Sequence, residues 1–200
     1  MGWCGPSRDE VWERLSREID GEFVAGSFWM RGKVQKRDDH WTVTLDTVSR
    51  QHGEHGHAMY TRLRAPFANP EGFRFTVYQA GFFSRLGRTL GMQDVEIGDA
   101  TFDDAFVVWG NDESMLVALF ADPTLRGMFG ALPRMRLDIR NCGSWFGPTC
   151  PPDTDLLCLE TSGVVKDLGK LKLFFAVFPA LLHRLCAIGA AHKYDPGVTL

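Results

Sequence analysis

Between residues 168 and 191 lies a run dense in apolar side chains, which admits two readings: a membrane-spanning helix or a helix that seals a core. A span needs roughly 20 nearly unbroken apolar residues. Here Lys170 and Lys172 stand near the start and His183 and Arg184 further along, so the charge-free stretch is only 173–182. Leu168, Leu171, Phe175, Phe178, Leu182 and Leu185 recur at steps of three and four, a single stripe facing one partner. The pattern predicts a helix that covers a sheet, with its charged residues turned to water or to the helix ends. It predicts no membrane span, and Pro179 predicts a bend within the helix.

Upstream, Ser7 and Glu10 have the form of a capping box, followed by Val11, Trp12, Leu15 and Ile19 at helical spacing until Gly21. The pattern then turns strand-like over 28–36 and 41–48, with Arg37, Asp38, Asp39 and His40 as the turn between them. Two more strands are expected at 59–65 and 73–79, separated by Pro66 and the turn signal Asn69-Pro70-Glu71-Gly72. A short helix at 84–90, alternation at Val95 and Ile97, and a strand at 106–109 come next. Asn111 or Asp112 caps one short helix, and Asp122 with Pro123 starts another that Pro133 ends. Met135, Leu137 and Ile139 alternate with charged residues, and Leu157 and Leu159 mark a last strand before the closing helix. Strands joined by short turns rather than by long helices imply an α+β fold with an antiparallel sheet, an N-terminal helix, short inserted helices and a long C-terminal helix on the sheet. With 200 residues and 44% hydrophobic content, a single domain over 1–200 is expected.

Charge limits the partners. Twenty-two basic against 25 acidic side chains give a net charge of −3, with no bulk attraction to nucleic acid or anionic lipid, so neither is an expected partner. Five widely spaced cysteines and the lack of an N-terminal apolar signal segment point to a reducing, cytoplasmic setting.

Several clusters invite chemistry. Trp3-Cys4-Gly5-Pro6-Ser7 resembles a thioredoxin active site with serine in place of the second cysteine, but no strand precedes it and the resolving thiol is missing. His52, Glu54, His55 and His57 form the densest group of metal ligands in the chain, a donor set suited to zinc, nickel or copper. Glycines between them, a place between two strands and the lack of a helix to hold the ligands favour a solvated loop with adventitious metal affinity. Cys142 and Cys150 flank a loop and are read as two free thiols, within reach of each other should the chain meet oxidant. Asp94, Glu96, Asp99, Asp103 and Asp104 form an acidic run whose spacing is not that of a calcium loop. Arg62, Arg64 and Tyr60, Arg74 with Tyr78, and Arg134, Arg136 and Arg140 would form a basic face if their strands are neighbours, unless cross-strand acids neutralise them. No nucleophile elbow, Walker, zincin or dinucleotide fingerprint occurs, and no motif asks for a cofactor.

Ala65-Pro66-Phe67, Asn69-Pro70-Glu71-Gly72-Phe73-Arg74-Phe75, Gly91-Met92-Gln93-Asp94, Gly110-Asn111-Asp112, Trp145-Phe146-Gly147 and the closing Asp195-Pro196-Gly197-Val198 together resemble a bacterial family of uncharacterised proteins. The resemblance implies a bacterial protein and carries no activity or site residues. The resulting expectation is a non-enzymatic binding or interaction module with a protein or small-ligand partner, Phe82-Phe83 and Trp145-Phe146 being candidate contacts. The alternative is a metal-binding protein or metal-dependent enzyme centred on the histidine loop.

Overall fold

The computed structural model describes residues 5–27, 31–52, 56–80, 93–132, 134–143 and 149–200. Helix α1 (Arg8–Glu18) leads into strands β1 (Glu22–Val24), β2 (Lys33–Asp38), β3 (Trp41–His52), β4 (Gly56–Ala68) and β5 (Phe75–Gln79). Then follow β6 (Gln93–Asp94), α2 (Ala100–Ala105), β7 (Phe106–Gly110), α3 (Glu113–Phe120), α4 (Pro123–Ala131), β8 (Met135–Asn141), β9 (Thr154–Ser162) and α5 (Leu168–Ala187). The strands form one nine-stranded sheet in the order β1-β2-β3-β4-β9-β8-β5-β7-β6. Every pairing within it is antiparallel. The α+β class expected from the sequence is the one observed.

α1 starts where Ser7 accepts from the Glu10 amide and the Glu10 carboxylate accepts from the Ser7 amide, the reciprocal capping box. Its end differs from expectation. Asp20, not Gly21, takes the left-handed conformation. Gly21 is needed for a different reason: a Cβ there would stand 2.8 Å from the Gln35 carbonyl oxygen of β2. β4 also runs further than its sequence suggested, straight through Pro66 to Ala68. The β3 ladder ends at Thr44 and Arg64, while β9 continues alongside to Ala68, so no β3 partner requires the N–H that Pro66 lacks. α2 had no predicted counterpart, being only one and a half turns long and capped by Asp99. The helix expected at 84–90 lies outside the described residues.

Alternation sorts the sheet into two faces. Val34, Val43, Leu45, Leu63, Ala65, Val77, Leu137, Leu157 and Leu159 are all buried and fall on one of them. α5 lies against that face as a single 20-residue helix with Pro179 inside it, burying Leu171, Phe174, Phe175, Val177, Phe178, Leu181, Leu182 and Leu185. The stripe is wider than the predicted one, which omitted Phe174, Val177 and Leu181. α1, through Trp12 and Leu15, and α2 to α4, through Phe102, Leu116, Leu119, Phe120 and Phe129, join the same core. Phe102 stacks on Phe106 at 4.7 Å and tilts against Phe120 at 5.0 Å. His183 departs from expectation, while Arg184 stands in the last turn, at the helix end. His183 meets the Trp41 ring edge-on at 5.1 Å, and Arg184 donates to the Ala118 carbonyl at the end of α3. Lys170 and Lys172 are exposed as expected, Lys172 pairing with Glu18 of α1. No helix among the described residues is long and apolar enough to cross a membrane.

Candidate functional site

The outer face of the sheet is built from the residues between the core positions. Its register sets Asp46 beside Arg62, Arg62 beside Glu160 and Glu160 beside Arg136. One step along, Thr44, Arg64, Cys158, Asp138 and Thr76 form the adjoining row. The strands bearing the predicted arginines are indeed neighbours, and Arg62, Arg64, Arg136 and Arg140 share one face. Arg74 does not join them. It pairs with Asp155 and donates to Asn141 at 2.8 Å, at the end of the sheet where Asn69 also meets Asp155 at 2.7 Å.

Acids meet these arginines across the strands or, for Asp138, along β8 from two residues to either side. Arg62 grips Asp46 with two bonds of 2.8 Å, and Arg64 shares that carboxylate at 2.5 Å. Asp138 lies 2.8 Å from Arg136 and 2.7 Å from Arg140, and Glu160 lies 2.9 Å from Arg140 and 2.6 Å from Arg50. Three carboxylates therefore hold five arginines, Arg140 being shared. The basic face is largely neutralised by pairing, and a surplus of two positive charges is left within the network. The acids sit deepest, with Asp138 4% and Glu160 8% exposed, while Arg50 is 47% exposed. Burial pushes Glu160 toward its neutral form, but the hydrogen bond from Arg140 and the charges of Arg140 and Arg50 win, and its pKa falls below the usual carboxylate range. Burial likewise opposes the charge on Arg140, and Glu160 and Asp138 outweigh it.

The Nε of Arg64 is shut off from water and has no hydrogen-bond partner. Arg136 Nε is likewise buried, at 2.8 Å from Asp138 but outside the directional geometry of a hydrogen bond. Cys158, at the centre of the network, is pushed up to about 12 by burial, with Asp138 and Glu160 adding to that effect against Arg140 and Arg64. A thiol so protonated is no nucleophile at neutral pH.

The segment after α5 crosses to this face. The His192 amide donates to Ala68 at 3.2 Å, beyond the point where β3 leaves β4. Val198 then packs with Leu156, Cys158 and Cys142, Leu200 lies against them, and Asp195 pairs with Arg37 at 3.0 Å. Lys33 donates to the main-chain oxygen of Leu200.

The other sequence candidates fare differently. His52 is the last residue of β3 and His57 the second of β4; His52 pairs with Gly56 and Gln51 with His57. His57 is exposed, and Glu54 and His55 lie outside the described residues. Among the described residues no three potential metal ligands converge. Asp99 and Asp103 of the acidic run have structural duties: Asp99 caps α2, and Asp103 accepts from the Ile97 and Gly98 amides at 2.9 and 3.0 Å. Asp94, Glu96 and Asp104 line an open groove of about 720 Å³ beside them. Cys142 and Cys150 are joined as a disulfide, a correction to the reading of two free thiols. The strand-end and loop positions bring their Cα atoms to 5.9 Å, a separation the sequence distance of 8 does not reveal. Of the thioredoxin-like pentapeptide, Ser7 is the α1 cap and Cys4 lies outside the described residues, as do Phe82, Phe83, Trp145 and Phe146. Sequence reasoning missed Arg50 as a member of the network, and Asp46, Asp138 and Glu160 as the partners of its arginines. Their alternation with core residues was legible, but which strand lay beside which was not.

No family model matches the chain, in keeping with a resemblance to an uncharacterised family, and no curated protein matches it. Among solved structures the chain is similar to the crystal structure of the mycobacterial trehalose monomycolate transport factor A, TtfA, with a TM-score of 0.53 and 9% identity over 88% of this chain and 95% of that one. At that identity the likeness is one of fold alone.

Proposed function

We propose that the protein is a non-enzymatic binding module whose contact surface is the outer face of the sheet. The observation that carries this reading is the arginine surplus: five guanidinium groups around three carboxylates, on the face opposite the one that the described helices cover. Cross-strand pairing one to one accounts for three of the five guanidinium groups and leaves two without a carboxylate of their own. The fold neighbour is a transport factor, which accords with holding a ligand rather than converting it. Cys158, the nucleophilic residue type within the network, is held in its neutral form, which also favours binding over covalent chemistry.

Native mass spectrometry of the purified protein tests the reading, followed by hydrogen exchange with and without any co-purified ligand. Protection of β3, β4, β8 and β9 by an unaltered ligand is the expected result. Protection confined to the helical side, chemical turnover of the ligand, or stoichiometric metal lost on changing His55 and His57 to alanine would each replace it. We place the protein in a bacterial cell on the strength of the family resemblance. Its compartment turns on Cys142–Cys150, because a formed disulfide belongs in oxidising surroundings. Thiol trapping in fresh lysate decides between the cytoplasm and an exported location.

A further inference from the structure

We infer that the outer face takes an oxyanion, a carboxylate- or phosphate-bearing small molecule, at Lys33 and Arg64, in the place now held by the chain's own segment 194–200; the inference rests on the binding reading above. Three observations converge on that place. First, Arg64 gives Nη2 to Asp46 and keeps a buried Nε with no acceptor. An N–H closed off from water without a partner is a standing cost that an oxygen ligand removes, and a guanidinium edge suits the two oxygens of a carboxylate or phosphate. Second, the cations of β2 already hold oxygen atoms of the tail: Arg37 holds the Asp195 carboxylate and Lys33 the main-chain oxygen of Leu200. The tail's oxygens stand where a ligand's would. Val198 and Leu200 lie in the cluster with Cys158 of β9, and the Lys33 side chain of β2 reaches across the face to the Leu200 oxygen; Arg64, on β4 between them, is the residue directly opposite Cys158.

Third, the tail is lightly held. Among the described residues no main-chain hydrogen bond ties 195–200 to a strand, and its last main-chain contact with the sheet is His192 to Ala68. The Arg37–Asp195 pair is exposed, a kind of contact that contributes little. What remains is the burial of Pro196 and Val198, the half-buried Leu200 beside them and the Lys33 contact that the anion itself would replace. An anion that satisfies Arg64 and Lys33 together exchanges with such a segment. The surplus of positive charge on the same face attracts the anion to it, and the recessed position of Arg64, 15% exposed, limits screening by salt.

Nuclear magnetic resonance of the full chain, titrated separately with inorganic pyrophosphate and with citrate at low salt, tests the inference and tells a phosphate from a carboxylate ligand. The expected result is a saturable shift of the Arg64 Nε–H signal while amides of 195–200 move to unstructured positions. Arg64→Lys keeps the charge but loses the second donor edge, and weakens binding about tenfold. The double variant Asp195→Asn with Val198→Ser loosens the tail and tightens binding by a similar factor, about tenfold. No saturable binding of either probe, or binding with the tail signals unmoved, overturns the inference. Should Arg64→Lys fail to fold, the tail variant decides alone, and an unchanged affinity overturns it. A co-purified uncharged ligand that protects the outer face overturns the inference and leaves the binding reading standing; a ligand protecting only the helical side removes both.

Discussion

The two faces of one sheet are stabilised by different physics although the same strands supply both. On the helical face Phe178, Leu182 and Leu185 are completely buried against strands whose inward residues are equally closed. Contact there is non-directional, and stability follows the apolar area removed from water. On the outer face, Asp138 and Glu160 are nearly as deeply buried, but each is tolerated only because two arginines reach it. The first face asks only for volume and apolarity. The second asks for particular partners at particular places, and leaves arginine donors in excess. That difference is why the helical face reads as the core and the outer face as the place for a ligand.

Changes on each side should separate the two in size and in kind. Phe178→Ala on the helical face should cost about 3–5 kcal/mol in urea denaturation, through the lost transfer energy and a cavity the sheet cannot fill. Asp138→Ala should cost less, about 2–3 kcal/mol, because Arg136 and Arg140 lose a buried partner but are exposed enough to recover some hydration. A loss equal to that of Phe178→Ala would mean that the outer face is as closed as the core. Cys142→Ser with Cys150→Ser should cost about 2 kcal/mol, and adding reductant to the wild type should reproduce that loss. Ser7→Ala, remote from the network, should cost about 1 kcal/mol through the lost cap.

The faces should also differ in pH response. Glu160 has its folded pKa depressed below its unfolded one, so it contributes stability that is fully present above the ordinary glutamate range and is lost as pH falls through the depressed value. Denaturation midpoints measured from pH 6 downward should fall less steeply in Glu160→Gln than in the wild type, whereas Phe178→Ala should shift the whole curve without changing its slope. Parallel curves for Glu160→Gln and wild type would remove the network from the account.

Much of this architecture could be read locally. The Ser7–Glu10 box, the Asp112 and Asp122 caps and Pro123 each act within four residues, and each helix begins where its signal stands. Where a distant partner intervened, local reading failed. Gly21 stood out as a helix end, but its role is to let β2 approach. His183 reads as facing water or a helix end because the helix pattern alone cannot place Trp41 of β3 against it.

The candidate site follows the same division. The arginines of the outer face were visible in strand alternation, because period-two geometry puts every second residue on one side. Their acids were not assigned to them: Asp46 faces Arg62 and Arg64 only through the β3–β4 register, and Glu160 reaches Arg50 and Arg140 only because β9 is inserted between β4 and β8, an order unrelated to that of the chain, while Asp138 takes its arginines from two residues to either side on β8. The pairing of Cys142 with Cys150 and the return of the tail across the face depend on the same long-range arrangement. The chain by itself determined which segments are helix or strand, and that the run at 168–191 covers a core rather than crossing a membrane, because those properties are set by neighbours three or four residues away. Only the tertiary structure decided which charges neutralise one another and which arginines are left with an unmet Nε donor, because electrostatic pairing depends on distance in space and strand order is not written in local periodicity.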